Sequence, residues 1–181
     1  MAKQYPALDD THCSFILRQK MFFTATADRD GRVNLSPKGL GTFRILDGNR
    51  VAWLDLTGSG NETSAHLEAL PRITVMFCAF EEPPQILRLY GTGRVLRRGT
   101  AEYRDAIASF DELPGARQIV AMQVELVQTS CGYAVPLYDY RGDRATLISW
   151  AESKGEAGVE SYRQEKNRTS MDGRPTGWPA A

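Results

Sequence analysis

Hydrophobic positions along the chain fall mostly in short runs with a two-residue alternation, punctuated by turn residues. Met21 to Ala27 (MFFTATA) predicts a strand that ends in the turn Asp28-Arg29-Asp30-Gly31. The pattern resumes at Val33-Asn34-Leu35-Ser36, which makes the pair a hairpin. Pro37 to Gly41 interrupts it, Phe43 to Leu46 takes it up again, and Asp47-Gly48-Asn49-Arg50 is the next turn. Val51 to Leu56 alternates around Asp55 and reads as a half-buried strand. Arg72 to Phe80 is apolar almost throughout, which predicts a strand covered on both faces. Ile86 to Gly91 continues to Val95-Leu96, and Gly91 and Gly93 suggest a bulge or a close backbone approach. Gln118 to Thr129 is the last long strand, and Tyr133 to Tyr138 reads as extended.

Helical periodicity is confined to the middle and the two ends. Leu8 to Lys20 predicts a helix with Asp9, Asp10 and Thr11 as cap candidates and Phe15, Ile16 and the stem of Gln19 on one face. Thr63 to Leu70 predicts a short helix stopped by Pro71. Thr100 to Phe110 places Tyr103, Ile107 and Phe110 on one side, and Leu147 to Lys166 carries Trp150, Ala151 and Tyr162. The end, SMDGRPTGWPAA, is Pro/Gly-rich and irregular. Six to eight short strands with few links long enough for helical crossovers favour a mainly β fold, an antiparallel barrel with peripheral helices. One domain is expected over 1–181, with a C-terminal helical extension from about 145.

Composition narrows the function classes. Lys+Arg and Asp+Glu both number 22, so no positive field argues for nucleic acid or an anionic membrane. No run of about 18 apolar residues reads as a membrane span, and MAKQYPALDD does not read as a signal peptide. Cys13, Cys78 and Cys131 are odd in number and far apart, which argues against a disulfide framework and for a cytoplasmic setting. No metal site is expected, because His12 and His66 stand in no ligand-like spacing with a cysteine.

The segment Thr57-Gly58-Ser59-Gly60-Asn61-Glu62 joins a strand to a helix without a bulky residue. Free backbone N–H groups, hydroxyls and the positive end of a helix dipole then meet at one place, which suits a phosphate. The same residues also suit a plain turn with Asn61 or Thr63 as helix cap.

Taken in order, NLSPKG, DLTGSGNETSAHL, the buried strand ending at Phe80, LRLYGTGRV and CGYAVPLYDY resemble the pyridoxamine 5′-phosphate oxidase-like flavoproteins over most of Met21 to Asp143. The resemblance implies a six-stranded antiparallel split β-barrel of the FMN-binding type. It also implies a homodimer with FMN at the subunit interface, and FMN-dependent oxidoreductase activity. By the same resemblance Asn34, Leu35 and Ser36 contact the flavin ring, with Lys38 near the cofactor, and the backbone of Leu56 and Thr57 faces the ring. Ser59, Asn61, Glu62 and Thr63 fall where the family holds the phosphate.

Two departures stand out. Glu62 and Thr63 occupy the places where the oxidases carry Arg and Lys, so the cation for the phosphate would come from Lys38 or Arg88. Ala134 follows Gly132-Tyr133 where the oxidases place a substrate-phosphate arginine, which argues against pyridoxamine 5′-phosphate as the substrate. The alternatives are a non-catalytic protein that binds a flavin, a haem or a B6 vitamer, and a deazaflavin-dependent reductase on the same barrel. Of the remaining residues, His66 is expected to be packed or solvent-facing, Cys131 to be packed, and Trp53 and Trp150 to lie in the core or the dimer interface. No catalytic acid or base is identifiable.

Overall fold

The computed structural model describes residues 2–179. Met1, Ala180 and Ala181, and with them the ends of the domain expected over 1–181, lie outside the described residues. The strands are β1 (Lys3–Tyr5), β2 (Phe22–Thr26), β3 (Asn34–Lys38), β4 (Phe43–Asp47), β5 (Arg50–Leu56), β6 (Arg72–Cys78), β7 (Ile86–Arg97) and β8 (Ala116–Ser130). Four helices accompany them: α1 (Asp10–Arg18), α2 (Glu62–Ala69), α3 (Ala101–Ile107) and α4 (Thr146–Lys166). One sheet runs in the order β3-β2-β6-β7-β8-β5-β4, with β1 added alongside β8, and every pair is antiparallel.

Curling of that sheet creates the core. Phe22 of β2, Phe43 of β4, Trp53 of β5 and Phe77 of β6 come from opposite ends of the strand order, yet their ring centroids lie 4.9–5.8 Å apart. No ladder joins β3 to β4 among the described residues, so the barrel is split. Eight strands are paired in it where the resemblance implies six. β5 is buried on both faces because its alternate residues enter two clusters. Val51 and Trp53 face the barrel interior, whereas Ala52 and Leu54 pack with Leu96, Ile119 and Tyr103 of α3.

Local signals explain most element boundaries. α1 opens with a capping box in which Asp9 accepts from the His12 N–H and the His12 ring accepts from the Asp9 N–H. The β7–β8 register shifts between Tyr90 and Gly91, where Glu125 of β8 is the extra residue, and a Cβ at Gly91 would run into the Gln123 carbonyl oxygen. Other positions differ from the pattern. β3 continues through Pro37 to Lys38, which an edge strand with a partner on one side tolerates. Tyr133 to Tyr138 forms a turn and coil instead of a strand, and β1 is too short to show a period. α4 is broken at Gly155, whose φ of 65° suits a glycine.

Candidate functional site

β5 ends in a buried carboxylate, and the site is built around it. Asp55 is 2% exposed. Lys38 at the end of β3 donates to its Oδ1 at 3.0 Å, and Arg117 of β8 reaches Oδ2 at 2.7 Å through Nη2 and 3.2 Å through Nε. Gln118 Nε2 adds a fourth donor at 2.9 Å. Burial works against this charge, but the Arg117 and Lys38 cations and their hydrogen bonds outweigh it and hold the carboxyl well below the usual range.

The same side chains fasten the glycine-serine loop from behind. Arg117 Nη1 donates to the Gly60 carbonyl at 2.9 Å and to Asn167 Oδ1 at 2.7 Å, while Asn167 Nδ2 donates to the Gly58 carbonyl at 3.1 Å. Gln118 Nε2 also donates to Asn61 Oδ1 at 2.8 Å. Thr57 is tied to the Gly115 carbonyl through both its N–H and its hydroxyl, and its Oγ1 accepts from Arg163 Nε at 2.8 Å. Arg163 in turn donates to the Ala116 carbonyl and to Glu160, with the Trp178 ring 5.3 Å from its guanidinium carbon. Lys38, Arg117 and Arg163 thus pack around the loop, paired with the carboxylates Asp55 and Glu160.

At the start of α2, Asn61 makes no side-chain cap. Glu62 takes the dipole's positive end for its own carboxylate, which accepts from the Met171 N–H at 3.1 Å. A Cβ on Gly60 would meet Glu62 Oε1 at 3.3 Å, so this carboxylate stands over the loop. The C-terminal segment then closes the helix: Ser64 Oγ donates to the Thr176 carbonyl at 2.6 Å, and Arg32 pairs with Asp172. Beside it, Asn34 Nδ2 donates to Thr26 Oγ1 and Thr63 Oγ1, each at 3.1 Å. Ser36 donates to Asn34 Oδ1, and Thr26 Oγ1 lies 3.0 Å from His66 Nδ1.

In front of the loop opens a cavity of about 960 Å³. Lys38, Thr57, Gly58 and Ser59 line it together with Phe80, Tyr138, Tyr140, Trp150 and Tyr162. Lys38, Thr57 and Ser59, separated in sequence, are therefore brought to one space. Asn34, Ser36 and Thr63 are joined to one another by hydrogen bonds and Asn61 belongs to the buried network with Gln118; none of these four, nor Glu62, lines the cavity. Leu35 points outward at 64% exposure, and Leu56 packs against the cluster beneath α3. Arg88 sits on β7 with its Nη1 3.3 Å from Ser130 Oγ; it neither bonds the loop nor lines the cavity. Of the residues not singled out for chemistry, Trp53 and His66 are buried, Trp150 is half-buried at the cavity and Cys131 is exposed.

Asp55, Arg117, Arg163 and Asn167 carry the network and were not singled out from the sequence. Asp55, the lone acid in an apolar strand, was a legible signal, because a buried carboxylate needs a cation. Arg163 offered none, being one charge among many on a mixed helix.

An open antiparallel barrel with a polar loop at a cavity lined by aromatic residues defines the fold class as a split barrel. Residues 8–131 match the family model for pyridoxamine 5′-phosphate oxidase, and the chain belongs to that family. It is 37% identical to the pyridoxamine 5′-phosphate oxidase family protein ustO of Aspergillus flavus, over 94% of this chain and 76% of that protein. Among solved structures, a variant of HupZ of Group A Streptococcus superposes with a TM-score of 0.55 at 21% identity, covering 67% of this chain and 98% of the other. A putative pyridoxamine 5′-phosphate oxidase of Lactobacillus delbrueckii gives 0.55 at 18% identity, covering 68% and 94%. These two likenesses bear on the fold alone.

Proposed function

We propose that this protein is an FMN-dependent oxidoreductase acting as a homodimer on a substrate other than pyridoxamine 5′-phosphate. The observation that carries this reading is the convergence of Lys38, Thr57 and Ser59 on one cavity of about 960 Å³. That volume lies near the top of the roughly 300–1,000 Å³ typical of small-molecule sites. The residues fit a flavin: aromatic walls suit its ring system, and Lys38 brings a cation held in place by Asp55. Lys38 and the exposed Ser59 hydroxyl would hold the phosphate, and Asn34 and Ser36 would border the ring. When bound, a flavin supplies hydride or electron transfer; the chain supplies position, charge and exclusion of water.

The purified protein is expected to show flavin absorption in the visible range, and added FMN to raise its melting temperature. Colourless protein with no thermal response to FMN would overturn the reading.

Glu62, with its carboxylate over Gly60 where the oxidases carry a cation, favours a second reading: a protein that holds a flavin, a haem or a B6 vitamer without turning it over. Reduction of bound flavin by NADH or NADPH, with and without electron acceptors, separates the two. A thermal-shift panel that includes a deazaflavin tests the related reductase.

A further inference from the structure

The cavity's outer wall comes largely from chain beyond residue 131, outside the family match. Two aromatic pairs build it. Phe80 stacks on Tyr138 with centroids 5.3 Å apart, and Trp150 meets Tyr162 edge-on at 5.0 Å. Tyr140, also in the lining, lies under Lys20, whose Nζ is 5.6 Å from the ring centroid. Charge at the rim is unbalanced: Arg18, Lys20, Arg141 and Arg144 face Glu81, Asp139 and Asp143, one positive charge in excess. Arg141 and Arg144 are exposed, and neither pairs with a carboxylate among the described residues. Lys38 is a further cation of the lining, held by the buried Asp55 carboxylate. Aromatic faces select planar rings, and unpaired guanidinium groups select carboxylates, which they bind by two parallel hydrogen bonds.

We propose that this wall, with Trp150 and Tyr138 as its aromatic faces and Arg141 and Arg144 at its mouth, is the binding site for a planar aromatic carboxylate. This ligand is the substrate presented to the flavin. Its role as substrate rests on the flavin reading above; its binding does not. The cavity's size leaves room for a second ring system beside a cofactor on the Lys38 side.

Calorimetric titration of the full-length protein with 2-naphthoate and with 2-naphthamide, in the absence and presence of saturating FMN, tests the proposal. Naphthoate is expected to bind at least tenfold more tightly than the amide, with FMN leaving its affinity unchanged or improved. The double substitution R141Q/R144Q should erase the preference without altering amide or FMN binding, because both side chains are exposed and hold no structural bond. Trp150→Leu should weaken both probes. Equal affinity for the two probes, indifference to these substitutions, or one-for-one displacement of naphthoate by FMN would each overturn it. Naphthoate binding in a protein that takes up no FMN upholds the aromatic-anion site and removes the flavin reading. FMN binding without a naphthoate site does the reverse.

Discussion

Asp55 and Glu62 are carboxylates at the two ends of one loop, and their surroundings assign them opposite roles. Asp55 is enclosed by Lys38, Arg117 and Gln118, and its removal leaves a buried guanidinium without a counter-charge. Asp55→Asn is therefore expected to cost about 3–5 kcal/mol, measured by urea unfolding at neutral pH. Because the folded carboxyl lies below its ordinary value of 3.8, the stability it contributes is complete above that pH and is lost progressively as the pH falls below it. The Asn variant should lack this component of the acid limb, and an unchanged acid profile would refute the assignment. Glu62 instead stands where an incoming phosphate would feel its charge. Glu62→Gln should tighten FMN roughly three- to fivefold, the worth of the ~1 kcal/mol or less that a charge contributes at a helix end. Riboflavin, lacking the phosphate, should bind unchanged in a fluorescence titration; an equal gain for both ligands would refute the charge account.

Among the elements, α2 is the one whose position depends most on distant chain. It has no side-chain cap of its own, and residues 167–178 supply its closure through Asn167, Met171 and the Thr176 carbonyl. The same segment sets Trp178 against Arg163, which holds Thr57. Deleting residues 168–181 is expected to cost upward of about 5 kcal/mol, from the hydrogen bonds that Met171, Asp172, Thr176 and Trp178 make to the rest of the chain, near 1 kcal/mol each, and one buried tryptophan. Amide exchange should accelerate over 58–66 more than in the β6–β8 ladder. Uniform acceleration across the sheet would show that the tail stabilises the barrel as a whole and not this loop. Strand positions were largely legible: β2, β5, β6 and β8 appear where alternation and apolar runs predict them, within a few residues. The misreadings share a cause. Pro37 is tolerated because β3 has one partner, and Tyr133–Tyr138 stays out of the sheet because no strand edge pairs with it, and neither fact is local.

For the whole molecule, the exposed apolar side chains Leu35, Tyr133 and Leu137 point to association. A dimer of two 20.1 kDa chains is the expected species in analytical ultracentrifugation, and the pair Tyr133→Asp with Leu137→Asp should dissociate it. A monomer at every concentration would remove the proposed interface. No helix among the described residues is long and apolar enough to cross a membrane.

Read alone, the order of residues specifies the strands, the helix stopped at Pro71, the small-residue loop between β5 and α2, and the family, because alternation, turn residues and motif order are local properties. Which cations stand behind that loop is settled by folding. Arg117 reaches Gly60 across 57 residues of chain, and Arg163 reaches Thr57 across 106. Folding also brings Trp150 and Tyr162 to one cavity with Lys38. Pairings over such separations follow from how the sheet curls and where α4 lands on it, and no period or spacing in one stretch of chain encodes that.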